Sequence, residues 1–122
     1  MKFYQCEHCG NIITYIKNSG VPVVCCGEKM KEIVPGVVDA SKEKHVPVVK
    51  FEGNEVVVNV GSVDHPMVPE HYIEWVCLLT TKGMQLKRLN PGEKPEARFT
   101  LTADDEVLEV YEYCNLHGLW KA

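Results

Sequence analysis

Four cysteines lie within the first 26 residues, as Cys6-Glu7-His8-Cys9-Gly10 and Cys25-Cys26-Gly27. They constrain the front of the chain more than any other feature. The segment that carries them ends near Pro35-Gly36. Chains below about 40 residues bury too little apolar surface to fold alone, and need a metal, a disulfide or a partner. The opening residues, Met1-Lys2-Phe3-Tyr4-Gln5, form no apolar signal region. A reducing cytoplasm is therefore the expected setting, and a disulfide framework is the poorer reading. Metal ligation is the better one. At CxxC spacing two thiolates grip one ion while amides of the turn donate to sulfur, and the glycine lets the chain curl back. With the second pair the site becomes a tetrahedron of thiolates, which suits zinc or iron. That second pair is adjacent, so its side chains point apart on an extended backbone. Gripping one ion demands a local distortion there. His8 lies inside the knuckle and is expected at the surface, since four thiolates need no fifth ligand.

The remainder reads as β structure. Val46 to Phe51 and Val56 to Val60 flank Glu52-Gly53-Asn54-Glu55 and predict a hairpin. Tyr72 to Thr80 alternates, placing Ile73, Trp75, Cys77 and Leu79 on one face. Gly83 and Asn90-Pro91-Gly92 punctuate the next stretch, and Arg98 to Thr102 and Val107 to Cys114 predict a further strand pair around Ala103-Asp104-Asp105-Glu106. No long segment keeps a helical period, so the fold class is all-β, an antiparallel sandwich or barrel. The domains expected are residues 1–36 and 37–122. Tyr72, Trp75, Tyr111 and Trp120 are expected in the packing, as is Cys77, a small hydrophobe on the face of Ile73 and Trp75. No apolar run approaches the roughly 20 residues of a membrane helix. A net charge of -4 disfavours a nucleic-acid partner, because neutralising phosphates needs clustered Lys and Arg.

Four histidines in this second segment gather by topology. His45 precedes the first hairpin strand and His65 follows the second, so antiparallel pairing returns one to the other at the hairpin's open end. Pro66 and Pro69 stiffen the connection to His71, which stands just ahead of the next strand. Cys114-Asn115-Leu116-His117-Gly118 follows the last long strand, and a CxxH turn places a thiolate and an imidazole on one ion. Four imidazoles and one thiolate are unusual for structural zinc, which is four-coordinate. Five such ligands suit iron with a sixth position kept for chemistry.

These motifs together, Cys6-x-x-Cys9 with Cys25-Cys26, Glu43-Lys44-His45-Val46-Pro47, Gly61-Ser62-Val63-Asp64-His65-Pro66-Met67, His71-Tyr72-Ile73-Glu74-Trp75 and Cys114-Asn115-Leu116-His117-Gly118, resemble desulfoferrodoxin, the two-iron form of superoxide reductase, along the whole chain. Cys77 lies outside the pattern. The resemblance implies a desulforedoxin-like N-terminal domain holding Fe(Cys)4 through Cys6, Cys9, Cys25 and Cys26. It implies an immunoglobulin-like β-sandwich holding Fe(His)4Cys, with His45, His65, His71 and His117 equatorial and Cys114 axial. It also implies a homodimer, a rubredoxin-type electron donor, and one-electron reduction of superoxide to hydrogen peroxide. Lys44, beside His45, is expected to steer the anion, and Glu43 to occupy the open position of the oxidised site. Two other function classes compete. One is a non-catalytic interaction module stabilised by a metal, with structural histidines; the other is a pure electron carrier built on Fe(Cys)4.

Overall fold

The computed structural model describes residues 1–122, and its internal contacts divide the chain into two units, Met1–Val34 and Pro35–Ala122. The first unit is built from five very short strands: β1 (Phe3–Gln5), β2 (Ile12–Thr14), β3 (Val24–Cys25), β4 (Glu28–Lys29) and β5 (Lys31–Ile33). β1 is central, antiparallel to β2 on one edge and β5 on the other. β3 and β4 form a separate ribbon whose turn is Cys26-Gly27. Tyr4 and Tyr15 meet edge to face with centroids 5.0 Å apart.

The second unit opens with a single helical turn, α1 (Lys42–His45), and continues through β6 (Pro47–Glu52), β7 (Glu55–Val60), β8 (Ile73–Thr80), β9 (Met84–Arg88), β10 (Glu96–Thr100), β11 (Val107–Cys114) and β12 (Gly118–Lys121). The strands form two antiparallel sheets, ordered β10-β7-β6 and β12-β11-β8-β9. This is the expected antiparallel sandwich of immunoglobulin-like kind, and it has seven strands. No helix is long and apolar enough to cross a membrane. The β6–β7 hairpin is registered Glu52↔Glu55 to Pro47↔Val60, with Gly53-Asn54 as its two-residue turn and Gly53 at φ 61°. Between the sheets lie Val56, Val58 and Val60 of β7, Ile73, Val76 and Leu78 of β8, Ala97 and Phe99 of β10, and Val110 and Cys114 of β11. Each large aliphatic or aromatic side chain so buried contributes roughly 1.5–3 kcal/mol.

Three local expectations are corrected. The second segment is not β throughout: Lys42–His45 coil into a helical turn, too short to show a period. In β8 the register shifts between Tyr113↔Trp75 and Cys114↔Ile73. That irregularity puts Ile73 on the core face with Val76 and Leu78, while Trp75 stacks on Tyr113 at 5.5 Å on the other face. Cys77 therefore lies off the sandwich core, yet it is fully buried, and burial pushes its thiol up to about 11. Finally, β10 and β11 are not partners. β10 pairs with β7 and β11 with β8 and β12, so the connection between them crosses from one sheet to the other.

Asp105 holds that crossing. One carboxylate oxygen accepts from Thr81 Oγ1 (2.9 Å), Lys82 N (3.1 Å) and Glu106 N (2.9 Å), and the other from Thr80 Oγ1 (2.9 Å). Partial desolvation acts to raise its pKa, but these donors outweigh it and hold the carboxyl below its usual 3.8. A depressed folded pKa stabilises above the unfolded value and is lost as acid protonates the folded group. Asp105→Asn should therefore unfold at lower urea than the parent at pH 7, and the gap should narrow as the pH falls below 3.8. Equal midpoints at pH 7 would contradict the latch.

Candidate metal centres

In the first unit the backbone bends where the adjacent cysteines require it. Cys26 has φ 51° and Gly27 φ 78°, two consecutive residues in the left-handed region, one of them not glycine. That distortion turns the neighbouring thiols to one side. The ligand atoms of Cys6, Cys9, Cys25 and Cys26 lie within 4.8 Å of one another. Cys9 N donates to Cys6 Sγ at 3.5 Å and Asn11 Nδ2 to Cys25 Sγ at 3.7 Å. The Cys9 amide is the main reason the Cys6 thiol falls to about 6. Hydrogen bonding to Cys6, then to Cys9, raises Cys25 and pushes Cys26 up to about 12. The cluster accepts one thiolate readily and resists the next, so four negative sulfurs at this spacing need a cation. His8 stands at the surface beside Glu28, at 3.2 Å.

The second centre is assembled from four places in the sandwich. His45 ends α1, His65 lies beyond β7, His71 precedes β8, and the turn between β11 and β12 supplies Cys114 and His117. α1 lies directly on the loop that leads to His65. A side-chain carbon at Gly61 would fall 2.6 Å from Glu43 O and 2.9 Å from Val46 O, so only glycine fits. Glu43 O in turn accepts from Val63 N (2.9 Å) and Ser62 Oγ (3.2 Å).

All five ligand atoms lie within 4.8 Å of one another. The imidazoles form a closed cycle: ring centroids are 4.7 Å apart for His45–His65, 4.6 Å for His65–His71, 5.0 Å for His71–His117 and 4.9 Å for His117–His45. Each ring stands at 79–83° to the next. His45 Nδ1 lies 2.6 Å from Ser41 O and His65 Nδ1 2.7 Å from Pro66 O. A carbonyl only accepts, so both Nδ1 atoms carry the proton and both Nε2 atoms present a lone pair. Those two Nε2 atoms are 3.2 Å apart, and His117 Nδ1 is 3.1 Å from His45 Nε2. His71 Nε2 is buried without a hydrogen-bond partner. Converging lone pairs of this kind fit a cation.

Electrostatics keep the rings in the ligating form. Desolvation first, then repulsion among the rings, lowers His45 and His71 and takes His65 to about 4. The Cys114 thiol is fully buried. Burial raises it, while the amides of His117 and Leu116 pull it back. Trp120 packs tilted on His45 at 4.9 Å and donates Nε1–H to His117 O at 3.0 Å.

Lys44 and Glu43 are exposed and outside the donor cluster. The Lys44 ammonium is nevertheless among the charges that lower His71, so its field reaches the site. The sequence reading missed Glu112. It sits at an inward position between Val110 and Cys114, is 0% exposed, and has neither carboxylate oxygen hydrogen-bonded. Burial pushes it up to about 9, so it is neutral at pH 7. An acid at an inward position of an alternating strand is the signal that would have found it.

Known proteins carry the same two-part pattern. Residues 37–122 match the family described as Desulfoferrodoxin, and residues 1–33 match Desulfoferrodoxin, N-terminal domain. The desulfoferrodoxin of Nitratidesulfovibrio vulgaris is 49% identical over 121 residues, 99% of this chain and 94% of that protein. A superoxide reductase of Pyrococcus horikoshii is 36% identical over 100 residues, covering 68% of this chain and 87% of that one. The crystal structure of the superoxide reductase from Treponema pallidum superposes with a TM-score of 0.84 at 51% identity, covering 99% of this chain and 97% of that chain. With both family regions matched in order and both donor clusters in place, the chain belongs to the desulfoferrodoxin family.

Proposed function

We propose that the second cluster holds iron and reduces superoxide to hydrogen peroxide by one electron, and that the four-cysteine cluster holds a second iron. The observation that carries this reading is the closed cycle of four imidazoles whose ring nitrogens converge, with one buried thiol beside them. Iron bound there would supply the electron, and superoxide with one electron and two protons becomes hydrogen peroxide. In this reading electrons come from a rubredoxin-type donor, and the chain acts as a cytoplasmic homodimer. Residues 1–36 form the Fe(Cys)4 domain and residues 37–122 the reductase domain.

The donor set suits an anionic substrate. Four neutral rings and one thiolate offset a single unit of a divalent ion's charge, so the site stays positive although the chain carries -4. Local field, not net charge, steers a small anion. His71 and His117 are only partly buried, whereas the Cys114 sulfur is closed to solvent, so approach is from the imidazole side. Bound to iron, the Cys114 sulfur would be a thiolate and would donate electron density to the metal, as a thiolate does in haem enzymes. Lys44 Nζ contributes positive charge at the approach and is, with water, the proton source in this reading. Glu43 is pinned through its carbonyl and carries a surface carboxylate on the turn that presents His45; that carboxylate would serve as the ligand of the oxidised state.

Pre-reduced protein should yield one hydrogen peroxide per superoxide consumed without oxygen release; oxygen release matching peroxide would make the activity dismutation instead. Lys44→Ala should lower the second-order rate in pulse radiolysis by about tenfold and flatten its dependence on ionic strength. An unchanged rate and salt slope would remove Lys44 from steering. Glu43→Ala should shift the visible absorption of the oxidised protein at neutral pH, and an identical spectrum would rule out carboxylate ligation.

A further inference from the structure

Metal-binding histidines are commonly oriented by a hydrogen bond from the ring nitrogen that does not face the metal. His45 uses Ser41 O in this way and His65 uses Pro66 O. His71 has no such ring contact, and its fixed point is its backbone: His71 N donates to Val68 O at 3.0 Å and Val68 N to His71 O at 3.1 Å. The residues on either side of it are held by one side chain from the other ligand loop. Asn115 Oδ1 accepts from Tyr72 N at 2.9 Å, and Asn115 Nδ2 donates to Glu70 O at 2.9 Å. Its main chain adds a third link, Asn115 N to Tyr72 O at 3.2 Å.

We infer that Asn115 is the positioning residue for His71, clasping the backbone before and after that ligand and tying it to the loop of Cys114 and His117. The inference deepens the reading of the second cluster as a metal site and rests on it. An amide suits the task because it presents one acceptor and one donor side by side. The acceptor matches the Tyr72 N–H and the donor matches the Glu70 carbonyl. Asn115 directly follows the ligand Cys114 and stands two residues before the ligand His117, so its clasp transmits the position of the end of β11 to a ligand far earlier in the chain. Without that side chain, His71 would be held by the Val68 bridge and the single main-chain bond from Asn115 N to Tyr72 O, and one imidazole of the cycle would lose its fixed direction.

The test is an anaerobic cobalt(II) titration of the full chain, following each site by its own absorption bands. The four-cysteine site serves as an internal reference. Asn115→Ala should weaken cobalt binding at the second site about tenfold or more, the range for losing an outer hydrogen bond of a ligand. Binding at the four-cysteine site should stay unchanged. Asn115→Asp keeps the acceptor for Tyr72 N–H, loses the donor to Glu70 O, and should fall between the two. Asp105→Asn loosens the opposite end of the sandwich and controls for general stability; it should leave both affinities at parent values. Affinity of Asn115→Ala within twofold of the parent would overturn the inference, as would an equal loss in Asp105→Asn. A parent chain that binds cobalt only at the four-cysteine site would instead remove the reading beneath it.

Discussion

The second unit is organised around a repulsion. Ring nitrogens of His45, His65 and His117 approach to 3.1–3.2 Å, and backbone carbonyls have already claimed the protons of two of them. A neutral protein gains nothing by aiming lone pairs at one another. Desolvation makes protonation an expensive remedy, which is why His45, His65 and His71 are driven toward their neutral form. A metal ion resolves the conflict directly. The four-cysteine cluster repeats the logic with sulfur: the Cys6 thiol is eased toward its anion, and Cys25 and Cys26 are pushed the other way. In both centres the donors are gathered by the fold, and binding a cation releases what the fold has stored.

The sandwich makes the gathering possible. Its core of valines, Ile73, Leu78 and Phe99 sets the relative positions of β7, β8 and β11. Each of these strands adjoins, or ends in, one or two ligands at the same end of the sandwich: His65 after β7, His71 before β8, and Cys114 and His117 at the end of β11. The tight seat at Gly61 couples α1 to the loop before His65, so His45 and His65 are placed by one contact. Trp120 braces His45 from the last strand. The superoxide reductase site is thus a property of one end of the sandwich, where both sheets deliver ligands from four places in the chain.

Much of this was legible from residue types and spacing. The hairpin turn at Gly53-Asn54 carried enough information to bring His45 and His65 together, because antiparallel register is arithmetic once the turn is placed. Adjacency of Cys25 and Cys26 announced a strained backbone, and Cys26 adopts a left-handed φ. What was hidden depends on three-dimensional pairing. A one-residue slip beside Cys114 changed which face of β8 meets the core, and no periodicity in Tyr72 to Thr80 reveals it. Strands β10 and β11 look like hairpin partners until the Asp105 crossing sends them to different sheets. The clasp of Asn115 is likewise set by neighbours distant in sequence.

The central claim is that five side chains of the second unit share one iron. Diffraction from crystals of the iron-loaded chain, with anomalous difference maps on either side of the iron absorption edge, tests it directly. Two iron peaks per chain are the expected result. One lies among the four sulfurs of the first unit; the other lies within bonding distance of Nε2 of His45, His65 and His71, Nδ1 of His117 and Sγ of Cys114. A single peak in the first unit, or a second iron held by surface carboxylates away from the imidazole cycle, would contradict it.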